Sequence, residues 1–178
     1  DLTRTVEEIK EARRQADVVP VSVHAHEMKG ADSKVAAQFV ETFARACIDA
    51  GASAVIGHGP HELRGIEVYN GGLIFYSLGN FIFQTETVAT QPYDAFVGKN
   101  LPIDTKIGAY MDHRSKNGTK GYIVQEDIWR AILPAWTVED GVIKDVALYP
   151  IDLAQKGTRS QRGTPKLSRS TSTLEHIK

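Results

Sequence analysis

The spacing of apolar residues changes along the chain, and each change predicts an element. Residues 3–15 place Glu7, Glu8 and Glu11 ahead of Arg13 and Arg14. That charge order suits the dipole of a short surface helix. Asp17 leads into Val18, Val19, Val21 and Val23, a β-branched run of the kind expected for a strand covered on both faces. Pro20 interrupts it and argues against a central position, because proline donates no ladder hydrogen bond. The run ends at His24, Ala25, His26 and Glu27. Asp32 and Ser33 are positioned to cap the next segment. There Val35, Ala36, Phe39, Val40, Phe43, Ala46, Cys47 and Ala50 recur at helical spacing until Gly51 stops them. Residues 52–56 read as a short buried strand running into Gly57, His58, Gly59, Pro60 and His61. Strand, loop, helix, strand, loop is a βαβ unit, which predicts that its two strands are parallel.

Farther on, residues 65–69 and 73–77 flank Asn70, Gly71 and Gly72, which supply the positive φ values of a tight hairpin. Residues 84–120 are polar and lack a sustained period, so they read as a long loop, a lid or an insertion. Strands are expected at 122–124, 128–138 and 142–150, the last two joined around Asp140 and Gly141. Residues 155–170 hold Lys156, Arg159, Arg162, Lys166 and Arg169 among Ser, Thr and Gly. A solvated linker is the expectation there, with an anion-binding patch as the alternative. Pro165 is placed to open a final helix carrying Leu167, Leu174 and Ile177. The pattern divides the chain into a folded part, residues 1–154, and a polar linker with the start of a terminal helix, residues 155–178.

Composition narrows the function. With 42% apolar and 24% charged residues the chain has the make-up of a folded domain. A formal net charge of -1 gives no reason to expect nucleic-acid binding. No apolar run reaches the length of a membrane span. The single Cys47 excludes an intrachain disulfide and a cysteine-rich zinc site, and its place on a helical apolar face predicts a core thiol.

The residues that point to chemistry are histidines. His24 and the pair His58 and His61 fall at the carboxyl ends of the two strands of one βαβ unit, where α/β sheets bind ligands. Imidazole is the commonest neutral metal ligand, and the compact loop around Gly57, Gly59 and Pro60 can aim two rings at one point. A lone histidine is more often a hydrogen-bonded residue than a ligand; three at neighbouring strand ends make a metal site about as expected as not. Glu27 reads as a ligand, an orienting partner or a general base, against a plain exposed carboxylate. His26 reads first as a solvent-facing or substrate-facing residue. Arg64 is placed to meet an anionic substrate or to form a surface ion pair. Ser22 and Ser77 lack a nucleophile elbow, and Gly57 with Gly59 lacks the rest of a dinucleotide fingerprint. Phe75, Tyr76, Phe81 and Phe83 read as core and site wall.

Three segments carry a resemblance. Residues 18–27 resemble a segment of the CapA family of poly-γ-glutamate capsule synthesis proteins, with His26 where many members have glycine and Glu27 one position early. Residues 50–67, AGASAVIGHGPHELRGIE, and 74–83, IFYSLGNFIF, resemble two further blocks of that family. The family is related to the calcineurin-like metallophosphoesterases. The resemblance therefore implies an α/β fold, specifically the C-terminal half of a four-layer αββα sandwich. It implies His24, His58 and His61 as metal ligands, with Glu27 as an associated acidic residue and Ser77 and Asn80 close to the site; a hydrolase reading then makes His26 and Glu27 the catalytic candidates and Arg64, Ser77 and Asn80 the substrate-binding ones. It also implies divalent ions (Mn, Zn, Fe or Mg), a missing N-terminal half of the same domain, and a cell-surface or extracytoplasmic setting. The expected activity is metal-dependent hydrolysis of a phosphoester or a γ-glutamyl amide. The alternative is a non-catalytic accessory subunit that binds an anionic polymer during synthesis or export.

Overall fold

The computed structural model describes residues 1–169 and Glu175. Helix α1 (Thr3–Gln15) precedes β1 (Pro20–His24), and a small hairpin of β2 (Met28–Lys29) and β3 (Asp32–Ala36) leads to α2 (Gln38–Asp49). Strand β4 (Ala54–His58) pairs in parallel with β1, bringing His24 opposite His58. The hairpin of β5 (Ile66–Tyr69) and β6 (Gly72–Phe75) turns on Asn70 and Gly71, both at positive φ, and β6 adds in parallel to β4. The sheet order is β1-β4-β6-β5. The βαβ unit and the hairpin are as expected. Pro20 lies on an edge strand, consistent with its missing donor.

Two details of this region differ from expectation. Strand β1 alternates between exposed and half-buried rather than being covered on both faces. Residues 32–36, expected to open the helix, form β3 instead. Asp32 Oδ1 accepts from Lys34 N at 3.0 Å, the contact a helix cap would make, but the backbone stays extended and pairs with β2 across Gly30 at φ +64°. The side chain that signals a helix start also serves a turn, and apolar spacing alone cannot separate the two.

The sheet is apolar on both faces, with side chains alternating along each strand. Val55 and Ile74 face α1 and α2, packing with Ile9, Ala44, Cys47 and Ile48. Ala54, Leu73 and Phe75 face the opposite way and pack with Leu63 and Ile132. This second face is covered by another antiparallel sheet, β7 (Arg130–Glu139), β8 (Val142–Asp152) and β9 (Lys166–Leu167). Phe75 stacks on Trp136 across the gap, ring centroids 5.8 Å apart. The described residues thus form helix, sheet and sheet layers, a mixed α/β architecture consistent with part of the expected sandwich. Cys47 is 1% exposed, and burial raises its pKa to about 11, so it is a core thiol.

Residues 84–120 are not a structureless loop. They hold α3 (Tyr93–Val97) and α4 (Ile107–Ser115), which share a small core of Phe96, Tyr110 and Met111. Five residues of α3 are too few to show a period. The expected strand at 122–124 is a one-turn 3-10 helix, Gly121–Val124, and a second such turn, Glu126–Trp129, leads into β7. Residues 155–169 fold back against the body instead of trailing as a linker. Arg159 donates to Asp112 Oδ1 at 2.6 Å, Arg162 pairs with Glu86, and Gly163 and Phe83 exchange a backbone hydrogen bond of 3.0 Å. A Cβ on Gly163 would meet the Phe83 carbonyl, so this close approach requires glycine. Leu167 lies in β9; Leu174 and Ile177 of the expected final helix fall outside the described residues.

Candidate functional site

The parallel pairing of β1 with β4 places both histidine loops at one end of the sheet. Ala25 N donates to His58 O at 2.8 Å, which extends the pairing one residue beyond the strands. Glycines make this closeness possible. A Cβ on Gly57 would lie 2.4 Å from the Tyr76 carbonyl oxygen, and one on Gly59, at φ +120°, would lie 3.1 Å from the Ala25 carbonyl. His61 itself adopts φ 63°, a left-handed conformation uncommon for a side chain of its size.

Three imidazoles gather here. His24 and His26 present their Nε2 atoms 3.0 Å apart, and the His26 ring centroid lies 6.0 Å from that of His61. The three brought together are therefore His24, His26 and His61. His58 contributes its carbonyl to Ala25, and its ring is half-buried at the end of β4. His26, read as facing solvent or substrate, is exposed and is also the imidazole that meets His24. Alternation explains the exchange: residues two apart on an extended segment share a side, so His24 and His26 turn the same way.

His61 is fixed by a group that sequence placed only near the site. Asn80 Nδ2 donates to two carbonyls, His61 O and Ile128 O, each at 3.0 Å. Those bonds orient the amide, so its Oδ1, 2.8 Å from His61 Nδ1, accepts a hydrogen bond from that nitrogen. Nδ1 therefore carries a hydrogen, and in the neutral ring the lone pair lies on Nε2, where it can bind a metal. Phe83 and Tyr122 wall the ring, with centroids 5.6 and 6.2 Å away.

Two other expected substrate residues face inward. Arg64 is 2% exposed, and its guanidinium donates to Ser33 O at 2.8 Å, Glu27 O at 2.9 Å and His26 O at 3.0 Å. Burial lowers its pKa, with Glu62 and Glu27 offsetting part of the effect. It clamps the backbone that presents His26 and Glu27. Ser77 is also 2% exposed; its Oγ accepts from Gly79 N at 3.3 Å and its carbonyl from Arg64 N at 3.2 Å. Sequence identifies such residues as polar and near the loops but not which way they point. Glu27 is exposed and shares with His24 a groove of about 460 Å³ walled by Phe39 and Phe43. Among the described residues, no group of three or more His, Cys, Asp or Glu side chains is arranged to hold a metal ion. No helix among them is long and apolar enough to cross a membrane.

Residues 1–85 match the family described as bacterial capsule synthesis protein PGA_cap. The chain is 33% identical over 175 residues to the uncharacterized protein y4sH of Sinorhizobium fredii, an alignment covering 94% of this chain and 38% of that protein. It is 35% identical over 156 residues to the PGA biosynthesis protein CapA of Bacillus subtilis, covering 75% of this chain and 37% of the relative. The capsule biosynthesis protein CapA of Bacillus anthracis is 41% identical over 83 residues, which is 46% of this chain and 20% of that one. The chain thus spans well under half the length of these curated relatives.

Proposed function

We propose, from the premise that the chain belongs through residues 1–85 to the bacterial capsule synthesis protein family, that its histidine loops supply part of a divalent-metal site. In this reading the protein is a hydrolase of capsule or poly-γ-glutamate biosynthesis acting on a phosphoester or a γ-glutamyl amide. The observation that carries the reading is the imidazole group at the strand ends. Two Nε2 atoms 3.0 Å apart are close to the ~3.3 Å that separates two nitrogens bound at about 2.0–2.1 Å on one tetrahedral ion. The lone pair of His61 Nε2 is the third donor, and His58 at the end of β4 stands next in line. Nitrogen donors suit zinc or iron better than manganese or magnesium.

The spacing of His24 and His26 suits such an ion, but no three described side chains are arranged to hold one, and the reading assigns the remaining ligands to other segments of a longer protein. When bound, the ion supplies Lewis acidity toward a phosphoryl or carbonyl oxygen. The rest falls to the chain's own side chains. Asn80 holds the His61 tautomer, Arg64 holds the backbone of His26 and Glu27, and Glu27 stands exposed beside His24 as a proton acceptor.

Metal analysis of the full protein, with assays on phosphodiester and γ-glutamyl amide substrates, tests this. Stoichiometric metal and turnover, both reduced at least about tenfold in His24→Ala and His61→Ala, are expected. Turnover indifferent to chelation and to both substitutions would reject the metal role; absence of turnover, with polymer binding retained in both variants, would favour the accessory role.

A further inference from the structure

A second cavity of about 200 Å³ lies behind the histidines, between α4, the 3-10 turns and the folded-back segment. Its walls are Met111, Tyr122 and Trp129, with Arg114, Lys120 and Arg162 as its cations. Among the described residues Glu86 is the one carboxylate lining it, and that group is already engaged by Arg162, with Arg159 3.7 Å away. Neither Arg114 nor Lys120 has a carboxylate partner among the described residues; Arg114 lies over the Tyr122 ring, 6.0 Å from its centroid. The Nε of Arg162 is buried without a hydrogen-bond partner among the described residues. The cavity thus combines aromatic and aliphatic walls with positive charge in excess of its acid.

We infer that this cavity binds a small organic acid, whose anionic head meets Arg114 and Lys120 while a compact apolar body lies against Tyr122, Trp129 and Met111. Carboxylate and phosphate heads share this chemistry, since both accept from guanidinium and ammonium donors. The volume is below that of a drug-sized pocket, which limits the body to about a single ring or short acyl chain. Tyr122 is the shared wall: one ring stands 6.2 Å from His61 and under Arg114. The inference goes beyond the hydrolase reading, because it needs neither the metal nor the histidines.

Isothermal titration of the full protein with phenylacetate, phenyl phosphate and the neutral phenylacetamide tests it. Saturable binding of at least one acid is expected, about tenfold tighter than that of the amide. The tighter of the two acids identifies the head group. Arg114 and Lys120 are both exposed, so Arg114→Gln and Lys120→Gln leave the fold intact. The double variant is expected to weaken acid binding about tenfold. His61→Ala and chelation are expected to leave it within about twofold, which separates this site from the metal reading. Equal binding of acid and amide, no saturable binding of either acid, or an unchanged double variant would overturn the inference. So would binding that follows His61 instead of the two cations.

Discussion

Along β6, Leu73, Ile74 and Phe75 are each 3% exposed or less, whereas residues 84–120 bury only Phe96, Tyr110 and Met111, in a cluster of their own. The two regions are held differently. The first is a central pair of strands covered on both faces, so its backbone and the loops at its end share the stability of the whole domain. The second depends on two short helices and a few part-buried ion pairs to the folded-back segment. Precision belongs where the histidines are, and adaptability where the cavity is. A region with few buried apolar contacts opens below the global unfolding free energy.

The largest effect that would sharpen this contrast is Phe75→Ala, expected to cost about 3–5 kcal/mol in denaturant unfolding and to loosen both histidine loops. Phe96→Ala is expected to raise hydrogen exchange across residues 93–115 while the amides of β4 and β6 keep their protection. Equal loss of protection in both regions would break the comparison. Arg64→Met removes three charge-assisted bonds to carbonyls and is expected to cost about 2–3 kcal/mol, with the greatest loss of order at His26 and Glu27.

Asn80→Ala is expected to cost about 1–2 kcal/mol and to weaken metal affinity at least about tenfold by releasing the His61 tautomer. Asn80→Asp keeps an acceptor for His61 Nδ1 but loses both donors, so affinity should recover more than stability.

The smallest effect concerns pH. Burial pushes the Glu67 carboxyl up, but hydrogen bonds from Tyr76 at 2.6 Å and Arg45 at 3.0 Å outweigh it and leave the pKa lowered. A lowered folded pKa stabilises above the ordinary carboxylate value and stops doing so as pH falls through the folded one. Unfolding midpoints should therefore decline only as pH falls below the ordinary carboxylate value, and Glu67→Gln should flatten that decline. Cys47 behaves oppositely: its contribution is full below the ordinary thiol value and fades as pH rises through about 11. Its thiol should resist a thiol-specific reagent at neutral pH until the protein unfolds.

Legibility in the sequence follows the same division. Parallel β1 and β4, the Asn70 and Gly71 hairpin, and the edge position signalled by Pro20 are local patterns with one structural solution, and they place His24 beside His58. Residues 32–36 were not legible, because Asp32 accepts from a backbone N–H in a turn as readily as at a helix cap. Helices α3 and α4 were hidden because five and nine residues give too few apolar repeats to show a period. The return of residues 155–169 depends on partners such as Glu86 and Asp112, more than forty positions away, and no local pattern encodes that. At the site, residue type was readable and direction was not. His26 turns toward His24, Arg64 and Ser77 turn inward, and the amide of Asn80 acts on His61 through two carbonyl bonds that only the fold supplies.

In the proposed metal reading His61 and the pair His24 and His26 offer nitrogen lone pairs to one ion. Titration of the full protein with zinc, followed through the ¹⁵N resonances of the histidine rings, tests it most directly. The account predicts that His61 carries its proton on Nδ1 before metal is added, and that the Nε2 signals of His24, His26 and His61 shift together with one saturating equivalent. A His61 ring protonated on Nε2, or three Nε2 signals unmoved by stoichiometric metal, would contradict it.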